Sequence, residues 1–303
     1  MRGKVSPCVY ASLLFGALGL AASLPSTVCA GDDHGVIGEG ANDLPLFDAH
    51  MHWKRPAWEV YPPGVVLELM DENGVAMALV SSSPDAGTIT LWEYAPNRIV
   101  PEMRPYNDRL GPSNWISEPG VGDYIEQRVR DYSHRGIGEF HLHDVDPRND
   151  PLLQRIVALA VERDIPLHVH SGHEPVEHLF AMNPELTIIW AHAGMSETSA
   201  VVGAMMGRYA NLYADTSYRE RDILRYDGKA DEQWLQVLEK YADRFMVGSD
   251  TWINAQWASY DQMMAVNRAW LAMLTPAAAR KIAYQNAERL FGRKIDASLY
   301  GTR

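Results

Sequence analysis

Short apolar runs recur along the chain, separated by longer stretches in which apolar residues return every three or four positions. The runs read as buried strands and the longer stretches as helices with one buried face. Their regular alternation is the mark of a parallel sheet with crossover helices. Eight strands are predicted: Leu44 to His52, Ala76 to Ser81, Ile99 to Arg104, Gly138 to His143, Pro166 to His170, Thr187 to His192, Leu212 to Asp215 and Phe245 to Asp250. Helices are expected from Val121 to Arg135, stopped by Gly136, and from Pro151 to Asp164, stopped by Pro166. Two more, Tyr260 to Met273 and Pro276 to Phe291, follow the last strand, and Thr275-Pro276 is a good start signal for the second. Eight strands in this pattern predict an α/β fold, a (β/α)₈ TIM barrel in a single domain. The segment Asn107 to Gly120, rich in Gly, Pro, Asn and Ser, follows the third strand, where a barrel carries its active-site loops, and is expected to act as a lid.

The first thirty residues are set apart by their composition. Arg2 and Lys4 precede an apolar stretch from Val9 to Leu24, and Val28-Cys-Ala30 puts small residues at the cleavage positions, which predicts a secretory signal peptide over 1–30. The run is short for a membrane span and Pro25 interrupts it, so no stable membrane anchor is expected, and a periplasmic or secreted location follows. The remaining residues, 31–303, come close to the ~250 of a typical eight-stranded barrel. Both cysteines, Cys8 and Cys29, fall in the signal, which leaves 31–303 without a thiol, a disulfide or a Cys-ligated metal site. Without Arg2 and Lys4, 25 basic residues face 39 acidic ones, a formal charge of −14. Such a field disfavours nucleic acid and anionic membrane surfaces and leaves a small-molecule substrate as the expected partner; a homo-oligomer stays open.

Most predicted strands end in a residue that can bind a metal or carry charge. These are His50 and His52 on the first, Arg104 on the third, Glu139, His141 and His143 on the fourth, His168 and His170 on the fifth, His192 on the sixth, Asp215 on the seventh and Asp250 on the eighth. In a barrel these ends converge on one mouth. Residues two apart on a strand share a face, so His50 with His52, and His168 with His170, can each clasp one cation. Packing alone explains one such histidine well and this coincidence poorly. Imidazole and carboxylate ligands suit zinc, iron or manganese. His173-Glu-Pro-Val-Glu-His178 imitates a metalloprotease motif, but its histidines are five apart and Pro175 interrupts. The G-x-S-x-G, G-x-x-x-x-G-K-[ST] and G-x-G-x-x-G motifs are absent, so serine-hydrolase, nucleotide-triphosphatase and dinucleotide chemistry lack their anchors.

Phe47-Asp-Ala-His-Met-His52, Gly138-Glu139, His168-Val-His-Ser-Gly172, Ala191-His-Ala-Gly194, Gly248-Ser-Asp250 and the tail Ala283-Tyr-Gln-Asn-Ala-Glu-Arg-Leu-Phe-Gly292 together resemble the amidohydrolase superfamily, in its amidohydrolase-related branch. The resemblance runs from Leu46 to Gly292. It implies metal ligation by His50, His52, His170, His192 and Asp250, with His168 the alternative to His170. Glu139 resembles the strand-four glutamate that bridges two ions in TatD-like nucleases; its other reading is a partner that orients a histidine. The resemblance implies a divalent transition metal, zinc first, as one or two ions. It also implies hydrolysis of a small-molecule ester, lactone, amide or related bond by a metal-activated water. Asp250 would shuttle the proton, and His192 would be a ligand or an oxyanion donor. Arg104 would clamp a substrate carboxylate or else form an ordinary ion pair. Trp53, Tyr106, His141, Tyr218, Arg219 and Trp252 are candidates for the pocket wall. Two other functions fit the same scaffold: a metal-dependent non-oxidative decarboxylase and a non-catalytic solute-binding barrel.

Overall fold

A computed structural model describes residues 43–296, so the expected signal peptide lies outside the described residues. Eight strands appear where the apolar runs predict them: β1 (Leu46–His52), β2 (Val75–Ser81), β3 (Ile99–Pro101), β4 (Ile137–His141), β5 (Leu167–His170), β6 (Ile188–Trp190), β7 (Leu212–Asp215) and β8 (Phe245–Met246). They are buried along nearly their whole length, which is why they read as continuous apolar runs and not as alternating ones. Every pairing is parallel, in the ladders β1-β2-β3 and β4-β5-β6-β7-β8. At one seam Met103 bridges to Ile137, and Met103 N–H donates to the Gly136 carbonyl (3.0 Å) while Gly138 N–H donates to that of Met103 (2.7 Å). At the other, Ala49 N–H donates to the Val247 carbonyl (2.8 Å) and Asp250 N–H to that of His50 (2.6 Å). Backbone hydrogen bonds thus run right round the ring, as a TIM barrel requires.

The helices are α1 (Pro63–Glu72), α2 (Ala86–Tyr94), α3 (Val121–Asp131), α4 (Asp150–Arg163), α5 (His173–Met182), α6 (Ser199–Arg208), α7 (Glu220–Ile223), α8 (Glu232–Lys240), α9 (Asn254–Trp257), α10 (Tyr260–Leu271), α11 (Pro276–Arg280) and α12 (Asn286–Phe291). Each long crossover helix buries the stripe its spacing predicts: Val121, Ile125 and Val129 on α3, and Leu153, Ile156, Val157 and Ala160 on α4. Thr275 caps α11 by accepting from Ala278 N–H, as the Thr-Pro signal implies. The closing helix is not uniform. Between α11 and α12 it widens into a π turn over Lys281–Gln285, and Asn286 Nδ2 then donates to the Ala242 and Phe245 carbonyls, both at 2.7 Å, fixing α12 under β8.

Two expectations shift. Helix α3 ends at Asp131, before the predicted Arg135, because the following residues are taken up elsewhere: His134 Nε2 bonds Asp85 (3.0 Å) and Arg135 N–H donates to the Pro101 carbonyl (2.7 Å). Strand β8 stops at Met246, and the chain then turns so that Asp250 takes a left-handed backbone (φ 52°). The segment after β3 stays irregular apart from one turn at Trp115–Ser117. Buried Trp115 anchors it by donating to the His141 carbonyl (3.0 Å), and a bidentate pair from Arg55 to Asp108 (2.8 and 2.9 Å) ties its tip to the segment after β1.

Candidate metal centre and active-site cavity

The strand ends bring His50, His52, Glu139, His170, His192 and Asp250 into one cluster. His50 and His52 point their Nε2 atoms at each other, 3.1 Å apart, and at Asp250 Oδ1, 3.6 and 3.1 Å away. Glu139 Oε2 lies 3.2 Å from His52 Nε2 and 3.8 Å from His50 Nε2. The other oxygen of the same carboxylate, Oε1, lies 2.7 Å from His170 Nδ1 and 3.4 Å from His192 Nε2, and those two nitrogens are 3.1 Å apart. Two ligand groups therefore share Glu139 as their common wall.

Tautomers decide whether this cluster fits a metal. A backbone carbonyl or a carboxylate can only accept, so a ring nitrogen facing one must carry the proton. His52 Nδ1 faces the Ser81 carbonyl (3.1 Å) and His50 Nδ1 faces Asp215 Oδ2 (3.2 Å). Ser217 gives its hydroxyl proton to Asp215, so its oxygen accepts from His192 Nδ1 (2.9 Å). In their neutral forms all three rings thus present bare Nε2 lone pairs to the same space, beside two buried carboxylates. Lone pairs 3.1 Å apart repel unless a cation lies between them, and imidazole with carboxylate is a donor set for divalent transition metals. When the same rings instead carry a second proton, hydrogen bonds from His170, His192, His50 and His52 hold the Glu139 carboxyl well below the usual range, against the effect of burial. For Asp250 the positive field of His50 outweighs burial and lowers it to about 2. Both remain ionised at neutral pH, as ligands must be.

Backbone strain and missing side chains make the crowding feasible. His192, Ala193, Tyr218 and Asp250 all have positive φ without being glycine, the kind of strain that collects at functional sites. Gly138 has φ 151°, and a Cβ there would lie 2.3 Å from the His168 carbonyl oxygen; a Cβ at Gly248 would meet Asp215 and His50 at 2.9 Å.

Behind the cluster lies a supporting layer in which Asp215 and His168 are visible in the sequence as strand-end residues, but Asp48, Ser81 and Ser217 are not singled out there. Asp215 receives His50 Nδ1, His168 Nε2 and His192 N–H on one oxygen, and its carboxyl is held well below the usual range by His50, against the effect of burial. Asp48 accepts from the His50 and Ser249 backbone N–H groups, the Ser249 hydroxyl (2.6 Å) and Tyr260 (3.0 Å), pinning β1 to the β8 end. These roles depend on register between strands distant in sequence, and Ser81 and Ser217 carry no motif of their own. His168 sits one layer deeper than His170, buried between Glu102 (3.1 Å) and Asp215 (3.2 Å), where both ring nitrogens are spent on carboxylates. The geometry therefore brings His170, and not His168, to Glu139 and His192.

Above the cluster opens a cavity of about 730 Å³, lined by Arg104, Tyr106, His141, Tyr218 and Trp252 among the predicted wall residues, by Lys54, and by the loop from Asn107 to Pro112. Ligand sites of small molecules have this size. Tyr106 accepts from His141 N–H (2.8 Å) and shares a second hydrogen bond with His141 Nδ1 (2.9 Å); the His141 ring stacks on His170 at 3.9 Å. Burial pushes His141 down to about 3, so it is neutral. Tyr218 OH accepts from Trp252 Nε1 (2.7 Å). Arg104 gives Nη2 to Glu139 Oε2 (2.7 Å) and Nε to the Glu139 carbonyl (3.0 Å), so the ion-pair reading holds for that face of its guanidinium. Two of the wall candidates, Trp53 and Arg219, fail, and the strand-end His143 does not reach the site. Trp53 is buried beneath the site, packed on Trp58 and bonded to the Tyr61 carbonyl, because the chain leaves β1 into the helix layer at once. Arg219 turns away under Trp234 to the Glu197 carbonyl, and His143 is exposed outside the cavity.

An amidohydrolase family model matches residues 47–293, most of the chain. The chain belongs to the amidohydrolase family. No curated protein sequence matches it. Among solved structures, a TatD homolog from Escherichia coli aligns with TM-score 0.59 at 16% identity, covering 84% of this chain and 100% of its own. A phosphotriesterase homology protein from Escherichia coli, complexed with phosphate in its active site, aligns with TM-score 0.57 at 12% identity over 83% and 99%. The organophosphorus hydrolase of Deinococcus radiodurans gives 0.53 at 14% over 82% and 93%. At these identities the structures speak for the barrel alone. Family membership makes the amidohydrolase a metal-dependent hydrolase, and its His, Asp and Glu clusters suit a divalent metal.

Proposed function

We propose that this amidohydrolase is an exported enzyme that hydrolyses a small-molecule ester, lactone, amide or related bond at a two-ion zinc centre. The observation that carries the reading is the division of one carboxylate between two ligand groups: Glu139 Oε2 with His50, His52 and Asp250, and Glu139 Oε1 with His170 and His192. When bound, a divalent ion supplies an electrophile for the scissile bond and lowers the pKa of a water from 15.7 toward ~7. Asp250 takes the proton from the attacking water and delivers it to the leaving group; its two oxygens, facing His52 on one side and His192 on the other, span both halves of the centre. His192 serves as a ligand and not as an oxyanion donor, since its proton is committed to Ser217 on Nδ1. The ligand side chains are almost all buried, and the loop residues Asn107 to Pro112 line the cavity above them. Zinc is compatible with the imidazole and carboxylate ligands, and export is supported by Arg2, Lys4 and the apolar stretch that follows.

The test is a panel of lactones, esters, amides and phosphoesters offered to the zinc-loaded protein. Turnover that disappears on chelation and returns with zinc is expected. Carbon dioxide released from an acid substrate, without hydrolysis of any panel member, would replace the proposal with the decarboxylase.

A further inference from the structure

The charges lining the cavity are unevenly committed. Of the carboxylates there, Glu139 and Asp250 belong to the ligand cluster, and Asp108 is engaged by Arg55. The cations lining the same cavity are Lys54, Arg104 and Arg109. Arg104 is 4% exposed, and its Nη1 has no hydrogen-bond partner among the described residues although Nη2 and Nε are both used. A buried, unpaired guanidinium nitrogen is costly unless a ligand completes it. Lys54 is the second half of the feature. Its ammonium stands 5.5 Å from the centre of the Trp252 ring, and it lines the same cavity as Arg104, Glu139 and Asp250. Two like charges facing one cavity repel, and their repulsion ends when an anion lies between them. The cavity also has an apolar lining in Leu110, Pro112, Met195 and the Trp252 ring.

We propose that Lys54 and the free Nη1 edge of Arg104 form an anion subsite beside the metal centre, so that the substrate is a small acid: an ester, lactone or amide bearing a carboxylate near the scissile bond and an apolar group beyond it. The proposal rests on the hydrolase reading and narrows it. Cleavage adds water across the bond. The subsite holds a carboxylate that does not react and so aligns the scissile carbonyl over Asp250. It also gives a strongly acidic chain a local reason to attract an anion.

The experiment compares paired substrates that differ only in a carboxylate against a carboxamide, with zinc-loaded wild type, Lys54→Met and Lys54→Arg, and zinc content measured in each. Calorimetry of 4-phenylbutyrate and 4-phenylbutyramide binding gives a second readout that needs no turnover. Wild type should favour the acid of a pair by at least tenfold in kcat/KM and bind the phenylbutyrate more tightly than its amide. Lys54→Met should lower both preferences about tenfold, through KM and not kcat, at unchanged zinc content, and Lys54→Arg should restore most of each. Neutral members turned over as fast as the acids, or an acid preference that Lys54→Met leaves intact, overturns the subsite while the hydrolase stands. Failure of every pair at full zinc content overturns the hydrolase reading, and the substrate class with it.

Discussion

The two halves of the metal cluster are built to different standards. His50 and His52 are 1% and 0% exposed, each with its Nδ1 proton delivered to a fixed acceptor; Asp215 and Ser81 lock the rings from behind, and Asp48 holds the His50 backbone. His170 has a side chain 21% exposed, meets the cluster through Nδ1 instead of Nε2, and is steadied by stacking on His141. Its neighbour His192 is fully buried and held by Ser217. Orientation imposed from behind fixes tautomer and direction before a metal arrives, and its loss typically costs 10-fold to 100-fold in metal affinity. The β1/β8 half should therefore be the tight site and the β4–β6 half the exchangeable one, with Glu139 coupling them.

Changes that break the shared parts should cost most. Asp250→Asn keeps shape but loses the proton carrier, and we expect kcat to fall by at least 10³ with an unchanged circular dichroism spectrum; near-normal turnover would remove Asp250 from the chemistry. Glu139→Gln removes a charge that both halves use, so equilibrium dialysis should find both zinc affinities weakened, the β4–β6 one more. His52→Ala against His170→Ala separates the halves: the first should lose its tightly held zinc, the second only the ion that exchanges readily, and equal losses would erase the contrast between them. Asp215 lies behind the ligand cluster and does not line the cavity, yet Asp215→Asn should weaken zinc binding 10-fold to 100-fold by releasing His50. The smallest effect belongs to His141. Burial places its titration near pH 3, so it is neutral before and after the working range, and His141→Gln should leave the shape of the pH–rate profile between pH 5 and 9 unchanged while raising KM a few-fold.

The same contrast marks how far the sequence could be read. Strands were legible because a barrel strand is buried on both faces, so Ala76 to Ser81 and Leu212 to Asp215 stand out as uninterrupted apolar runs. The polar ends of those runs were legible too, since a histidine or carboxylate closing a buried strand has few places to go. Depth was not. His168 and His170 share a face, and only the position of Glu102 across the barrel shows that the first is spent inside. Trp53 follows His52 directly, yet the chain has already left the barrel wall there, so adjacency in sequence misled. Lys54 escaped notice because a lone lysine in a loop carries no pattern; its meaning comes from Arg104, brought beside it by the barrel.

The most direct test of the two-ion centre is the metal content of the purified enzyme, measured by plasma mass spectrometry before and after chelation and set against activity. Two divalent ions per chain are predicted, the second lost first on mild chelation, with activity falling as it leaves and returning when zinc is restored. A metal-free preparation with full activity would contradict that centre outright.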